Sequence, residues 1–312
     1  MTKGRSTFVC VVTALAIAVV MAMQPQRVAG HGGPAQQQVD WNAVEVKAEQ
    51  VRGNIWMLTG RGGNIGVSVG PDGLLIVDDQ YAPLADKIKA KLKDLSSGKL
   101  KFILNTQFHG DHTGGNAQFG ADAPIIAHDN VRKRLATPPD DAAARERWAQ
   151  TYPQQAWPVV TFGERVSIHF NDEEIRAIHF PKGHTDGDSI IFFTKSNVVH
   201  MGDDFFVGRF PFVDLRAGGT VQGLIKNIGE VIEELPANVK IIPGHGPVSS
   251  VEDLRAYHKM LQATAEIVVQ RKDSGMSVED AKKAGLPEWE EWGSGFITTD
   301  RWIETIYNSY SQ

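Results

Sequence analysis

The chain has 312 residues, of which 42% are hydrophobic and 22% charged, and its formal net charge is −5 at pH 7. This is the composition of a folded globular protein, which excludes a disordered or collagen-like chain, and the length accommodates one large α/β domain or two small ones. A net acidic chain without a dense Lys/Arg run argues against nucleic acid as a partner, and the lack of any repeat with a period of about 20–50 residues argues against a solenoid.

Residues 1–30 differ from the rest. Lys3 and Arg5 precede an almost wholly apolar run from Phe8 to Met23, and Val28-Ala29-Gly30 offers small residues for cleavage. That is the pattern of a secretory signal peptide, and the run falls short of the roughly 20 residues a spanning helix needs. The expected location is therefore periplasmic or secreted, with no stable membrane partner after cleavage. The only cysteine, Cys10, lies inside this segment. The mature chain is expected to lack disulfides, a thiol nucleophile and sulfur ligands. Residues 31–42, rich in Gly and Gln, read as a flexible lead-in.

Short β-type runs follow at Val44–Val46, Ile55–Leu58, Ile65–Val69 and Leu74–Val77, the last two separated by the turn signal Pro71-Asp72-Gly73. Leu84, Ile88, Leu92 and Leu95 recur at helical spacing and predict an amphipathic helix over residues 83–95. Residues 101–105 return to a strand, and residues 137–158 read as a helical or loop insertion. Strands are expected near Val166–His169, Ile175–His179, Ser189–Phe193 and Val198–Met201, a helix at Val221–Leu235, and a strand at Val239–Ile242. Helices close the chain from Val251 to about Lys272 and from Asp300 to Tyr310. Strands mixed with helices in two similar halves predict a layered α/β protein. Residues 43–250 are expected to form the main domain, with 251–312 a helical extension packed on it.

The chemistry concentrates after the strand at 101–105, in Gln107-Phe108-His109-Gly110-Asp111-His112-Thr113-Gly114-Gly115. Two imidazoles and a carboxylate fall within four residues. A regular strand would send such side chains to alternate faces, whereas a sharp turn at a strand end can aim them at one point. Gly110, Gly114 and Gly115 ease such a turn. Three later corners carry the same signature: Gly183-His184, Gly202-Asp203 and Gly244-His245, the last two directly after strands. Four corners of this kind can converge on one sheet edge. Histidine and carboxylate donors without cysteine suit zinc.

With these residues in view, the chain resembles the metallo-β-lactamase superfamily. The motifs span roughly residues 44–246, and the run Trp292–Ile297 resembles exported members of one hydrolase group within it. The resemblance implies an αββα sandwich, four layers built from two βα halves. It implies a buried Asp78 that orients the ligand loop. It also implies two zinc positions, one held by His109 and His184, the other by Asp111, His112 and His245, with Asp203 bridging them. Gln107 stands where a third histidine is usual and is a candidate ligand whose amide oxygen is a poorer donor than imidazole, so one or two Zn²⁺ ions are expected, with the His109/His184 position the weaker. The implied function is a zinc-dependent hydrolase that attacks a carbonyl (ester, lactone or amide, β-lactams included) with metal-bound hydroxide. Asp111 is the expected catalytic residue, and a small molecule the expected partner. Asp203 at the bridging position differs from dedicated zinc β-lactamases. A glyoxalase II-like thioesterase and a non-catalytic metal-binding protein remain as alternatives. His109 stands where di-iron relatives carry a carboxylate, which favours hydrolysis.

Other chemistries lack their motifs. The chain has no Gly-x-Ser-x-Gly elbow, no Walker loop and no His-Glu-x-x-His helix, and Gly60–Gly63 lacks the Rossmann spacing. Among the remaining histidines, His128 opens a helical segment and is a secondary candidate for approaching substrate. His169, His179, His200 and His258 read as core or surface residues. Trp56, Phe108 and Phe205–Phe206 are candidate pocket walls, although plain core is the commoner fate of such rings.

Overall fold

Alternation of side chains along each strand decides the layers. The structure, a computed structural model, describes residues 1–2 and 39–311. The expected signal peptide, Cys10 and most of the lead-in lie outside the described residues. The chain divides into the units Met1–Val39 and Asp40–Gln312, and the architecture is that of the second. One sheet contains β1 (Lys47–Arg52), β2 (Ile55–Thr59), β3 (Ile65–Gly70), β4 (Gly73–Val77), β5 (Leu100–Leu104), β6 (Ile125–His128) and β7 (Val160–Phe162), in that spatial order. The second contains β8 (Arg165–Phe170), β9 (Glu173–His179), β10 (Ser189–Phe193), β11 (Val198–His200) and β12 (Lys240–Ile242), in the order β12-β11-β10-β9-β8. Antiparallel pairing runs from β1 to β4 and from β8 to β11, while β4 to β7 and β11–β12 are parallel.

In β4, Leu75 and Val77 point into the space between the sheets, where they meet Ile191, Phe193 and Ile242. Leu74 and Ile76 point the other way, onto α1 (Ala85–Leu95) through Ile88 and Leu92. The second sheet repeats the device. Ile190, Val199 and Ile241 face a helical layer, and their neighbours Ile191, Val198 and Ile242 face the first sheet. The result is helix, sheet, sheet, helix: the αββα sandwich.

The helices between the layers' strands are short. They are α2 (Gly110–Thr113), α3 (Asn116–Phe119), α4 (Asp129–Ala136) and α5 (Ala142–Thr151), the last filling the expected insertion. The outer layer on the second sheet is α6 (Val221–Glu234), α7 (Val251–Asp273), α8 (Val278–Ala284) and α9 (Thr299–Ser309). Thr220 caps α6 through the Gly223 N–H, and Ser250 with Asp253 forms a capping box on α7. Val221, Leu224, Ile228 and Val231 of α6 are fully buried in one core with Leu254, Leu261, Trp302 and Ile306 of α7 and α9. Each such aliphatic side chain contributes roughly 1.5–3 kcal/mol. Among the described residues no helix is long and apolar enough to cross a membrane.

The first expected strand is corrected. Residues 44–46 are irregular and the edge strand is Lys47–Arg52, whose residues are mostly polar and only partly buried. An edge strand meets solvent and does not need an apolar pattern. Trp41 and Asn42, at the end of the lead-in, are held by their carbonyls, which accept from Lys87 Nζ at 3.0 and 2.7 Å.

Candidate metal centre

All the predicted site residues arrive at one rim of the sandwich. Asp78 follows β4 in a left-handed conformation (φ 65°), which aspartate tolerates better than most residues. Its carboxylate is fully buried and ties the rim together. Oδ1 accepts from Thr106 N at 2.8 Å, and Oδ2 accepts from Thr106 Oγ1 and His112 Nδ1, each at 2.7 Å. The motif itself is a one-turn helix. The His112 and Thr113 N–H groups both donate to His109 O at 3.0 Å, which brings Asp111 and His112 round to the same side. His184, Asp203 and His245 come from the second half, the last two from the turns after β11 and β12.

Two clusters of ligand-type atoms result. Asp111, His112, Asp203 and His245 form one, and His109, His184 and Asp203 the other. Asp203 belongs to both: Oδ1 lies 3.2 Å from His112 Nε2 and 3.3 Å from His245 Nε2, and Oδ2 lies 3.4 Å from His184 Nε2. Asp111 Oδ2 is 3.3 Å from His245 Nε2 and 3.7 Å from His112 Nε2. Donors placed tetrahedrally at zinc bond lengths stand about 3.3 Å from one another. The first cluster therefore has the dimensions of a coordination shell. His112 Nε2 and Asp203 Oδ1 are fully buried and have no hydrogen-bond partner, a costly arrangement unless a cation completes it.

The histidine tautomers fit as well. His112 Nδ1 faces Asp78, His184 Nδ1 lies 2.7 Å from the Phe212 carbonyl oxygen, and His109 Nε2 lies 3.0 Å from Asp214 Oδ2. Each acceptor holds the proton on the far nitrogen and leaves a lone pair facing inward. His109 Nδ1 and His184 Nε2 consequently point lone pairs at each other across 2.9 Å, which a shared cation relieves.

Electrostatics follow from this crowding. Burial opposes ionisation of Asp203, but His112, His245 and His184 outweigh it and hold the carboxyl well below its ordinary range. Burial likewise works against the charged His245, and the Asp203 and Asp111 carboxylates reverse that and push it up to about 9. Burial pushes His184 down to about 4. Behind His184, burial raises Asp204 to about 7. Its Oδ1 accepts from His184 N at 3.2 Å while Asp188 Oδ2 accepts from Thr185 N at 2.7 Å, so the two carboxyls latch the His184 loop.

Gln107 sits among these groups, fully buried, with its amide turned in a telling way. Oε1 accepts from His109 N at 2.5 Å, and Nε2 faces Asp203 Oδ2 at 3.4 Å. The amide oxygen thus faces the backbone and the side turned to Asp203 carries N–H donors, so Gln107, expected as a weak third ligand, presents no donor atom to the cluster in this arrangement.

Several contributors had no sequence signal. Asp214 is one. Asn64 is another: its Nδ2 donates to Pro243 O (2.9 Å) and Gly246 O (2.8 Å), and its N–H donates to Gly244 O (2.8 Å), which clamps the His245 corner to the β2–β3 loop. Glycine at 63 and 244 is required by proximity, because a Cβ there would collide with His112 and Asp203. Beside the clusters opens a cavity of about 390 Å³, lined by Tyr81, Arg209, Phe206, Phe212, Phe296 and Ile297 among others. Of the expected pocket walls only Phe206 lines it; Phe205 and Trp56 are in core clusters, and Phe108 packs under Arg134. His128 is away from the cavity, accepting from Asn130 N to cap α4 and stacking on His179 at 3.6 Å.

Two face-to-face sheets with histidines and aspartates pooled at one rim define a metallohydrolase architecture. The profile of the Metallo-beta-lactamase superfamily matches residues 53–247, and the chain belongs to that superfamily. Membership implies a metal-dependent hydrolase. The chain is 25% identical over 249 residues to 2,4-dinitroanisole O-demethylase subunit alpha of Nocardioides sp., covering 78% of this chain and 71% of that one. It is 27% identical over 185 residues to a probable metallo-hydrolase of Bacillus subtilis, covering 57% of this chain and 85% of the relative. The solved metallo-beta-lactamase from Pontibacter korlensis superposes with a TM-score of 0.57 at 14% identity, covering 70% of this chain and 99% of the other, a likeness of fold.

Proposed function

We propose that the protein is a zinc-dependent hydrolase of small carbonyl compounds, namely esters, lactones or amides. One observation carries this reading: two imidazole–carboxylate clusters that share Asp203 face a cavity of about 390 Å³. His109, His184 and Asp203 would hold one ion, and Asp111, His112, His245 and Asp203 the other. Gln107, with its oxygen turned to the His109 N–H, leaves the former with one donor fewer and weaker binding. When bound, zinc supplies Lewis-acid polarisation and brings the pKa of water towards about 7.

The side chains supply the rest. Burial raises the Asp111 carboxyl, but His112 and His245 outweigh it and keep the group ionised. Asp111 lines the cavity, so its carboxylate is placed to take the proton of the attacking water and return it to the leaving group. Asp78, Asp214 and the Phe212 carbonyl fix the imidazoles in the tautomers that metal binding requires. Phe206, Phe212 and Phe296 give the cavity an apolar wall beside these groups.

A second reading, cleavage of an aryl ether, is favoured by the Nocardioides relative, whose name gives 2,4-dinitroanisole as its substrate. The test is turnover by the zinc-loaded protein of an aryl ester, a lactone, a chromogenic cephalosporin, a thioester and 2,4-dinitroanisole, before and after chelation. Turnover of the carbonyl substrates that chelation leaves intact refutes a zinc hydrolase, and turnover of 2,4-dinitroanisole alone selects the second reading. We further propose that residues 1–30 direct export, which the N-terminal mass of the protein recovered from the periplasm or medium checks.

A further inference from the structure

The superfamily profile ends at residue 247, but the cavity wall does not: Phe296 and Ile297 line the cavity together with His109, Asp111, Asp203 and His245. The segment that carries them is pinned on both sides. Phe210 N donates to Trp292 O at 2.9 Å. Gly295 lies against the Arg209 stem, where a Cβ would stand only 3.3 Å from Arg209 Cβ and Cδ. Ile297 is buried in the same core as Tyr257 and Trp302. Phe296, between these anchors, is 74% exposed and is the one exposed aromatic side chain among the described residues.

A lone surface phenylalanine needs no explanation, but this one ends a row of rings. Phe212 is edge-on to His184 at 5.7 Å, and Phe296 is edge-on to Phe212 at 6.4 Å. The Arg301 guanidinium sits 5.0 Å from the Phe296 ring and holds it in place. On the other side Phe206 stacks on His245 at 5.2 Å. Aromatic surface thus runs unbroken from the candidate ligands to the mouth. A void of about 150 Å³ is enough for benzene, so 390 Å³ holds one ring together with the group to be cleaved.

We infer that the substrate carries an aromatic ring, and that Phe296 is the residue that selects it. The inference rests on the carbonyl-hydrolase reading for its substrates, and a binding measurement separates the two. The variants are Phe296→Ala and Phe296→Leu in the full zinc-loaded chain. Because the side chain is exposed, their thermal midpoints should match the parent. Two ratios are read: kcat/KM for methyl phenylacetate over methyl hexanoate, and calorimetric affinity for phenylacetate over hexanoate. Aromatic packing of this kind favours the ring by up to about tenfold. Both ratios should fall by about that factor in Phe296→Ala and by less in Phe296→Leu. Ratios that do not move, or a parent with no preference for phenylacetate, overturn the inference. If neither ester is turned over but the binding preference is present and lost in Phe296→Ala, the aromatic site stands and the ester reading falls.

Discussion

Asp214 is the sharpest place to test the metal centre, because its two carboxylate oxygens are committed to different partners. Oδ1 accepts from Arg216 N and Ala217 N, both at 3.1 Å, and Oδ2 faces His109 Nε2 at 3.0 Å. Asparagine matches the shape but has one acceptor. If its oxygen stays on the turn, its amide N–H faces His109 Nε2 and drives the ring proton to Nδ1, the atom aimed at the cation. If the oxygen turns to His109, the turn loses a cap of about 1 kcal/mol. Loss of a residue that orients a metal-bound histidine typically weakens metal binding 10–100-fold, or about 1.4–2.8 kcal/mol. Asp214→Asn should therefore weaken one zinc equivalent by about that factor and leave the Asp111/His112/His245 equivalent unchanged. Competitive zinc titration against a chromogenic chelator resolves the two, with circular dichroism as the fold control. Two equivalents within threefold of the parent, with the fold intact, would refute the assigned role of Asp214 and the tautomer argument behind it.

Three further outcomes are expected. Gly63→Ala drives a methyl into the His112 ring and should cost about 1–3 kcal/mol, seen as a lower thermal midpoint together with weaker zinc binding. Asn64→Ala removes both side-chain bonds to the His245 corner and leaves the buried Pro243 carbonyl unpaired, so it should cost about 1–3 kcal/mol in denaturant unfolding and reduce zinc affinity. Asp111→Asn preserves size but removes the proton acceptor. Turnover should fall about 10²–10⁴-fold while the fold persists, and full activity in that variant would remove Asp111 from the mechanism.

The ligand-bearing corners were legible because each joins a His or Asp to glycine at a turn, and chemistry of that kind is written locally. The helix at Ala85–Leu95 and the central strands were legible because burial imposes a period. The edge strand Lys47–Arg52 was not, since a strand half in solvent carries no such period, and the apolar Val44 and Val46 drew the expectation a few residues too early. Asp214, Asn64 and the Phe212 carbonyl were silent for another reason. Their work is done by contact across 105, 179–182 and 28 residues of chain. Phe296 is intermediate: the run Trp292–Ile297 stands out in the sequence, but only the folded chain brings it to the cavity wall.

Asp203 lends one oxygen to each cluster, and neither cluster is complete within a single half of the sandwich. The first half supplies His109, Asp111 and His112; the second supplies His184, Asp203 and His245. A nascent chain with only its leading half folded would have no closed cage for a cation. An ion held as proposed would be taken up only once the two halves have docked, and its binding energy would add to the stability of the joined state alone.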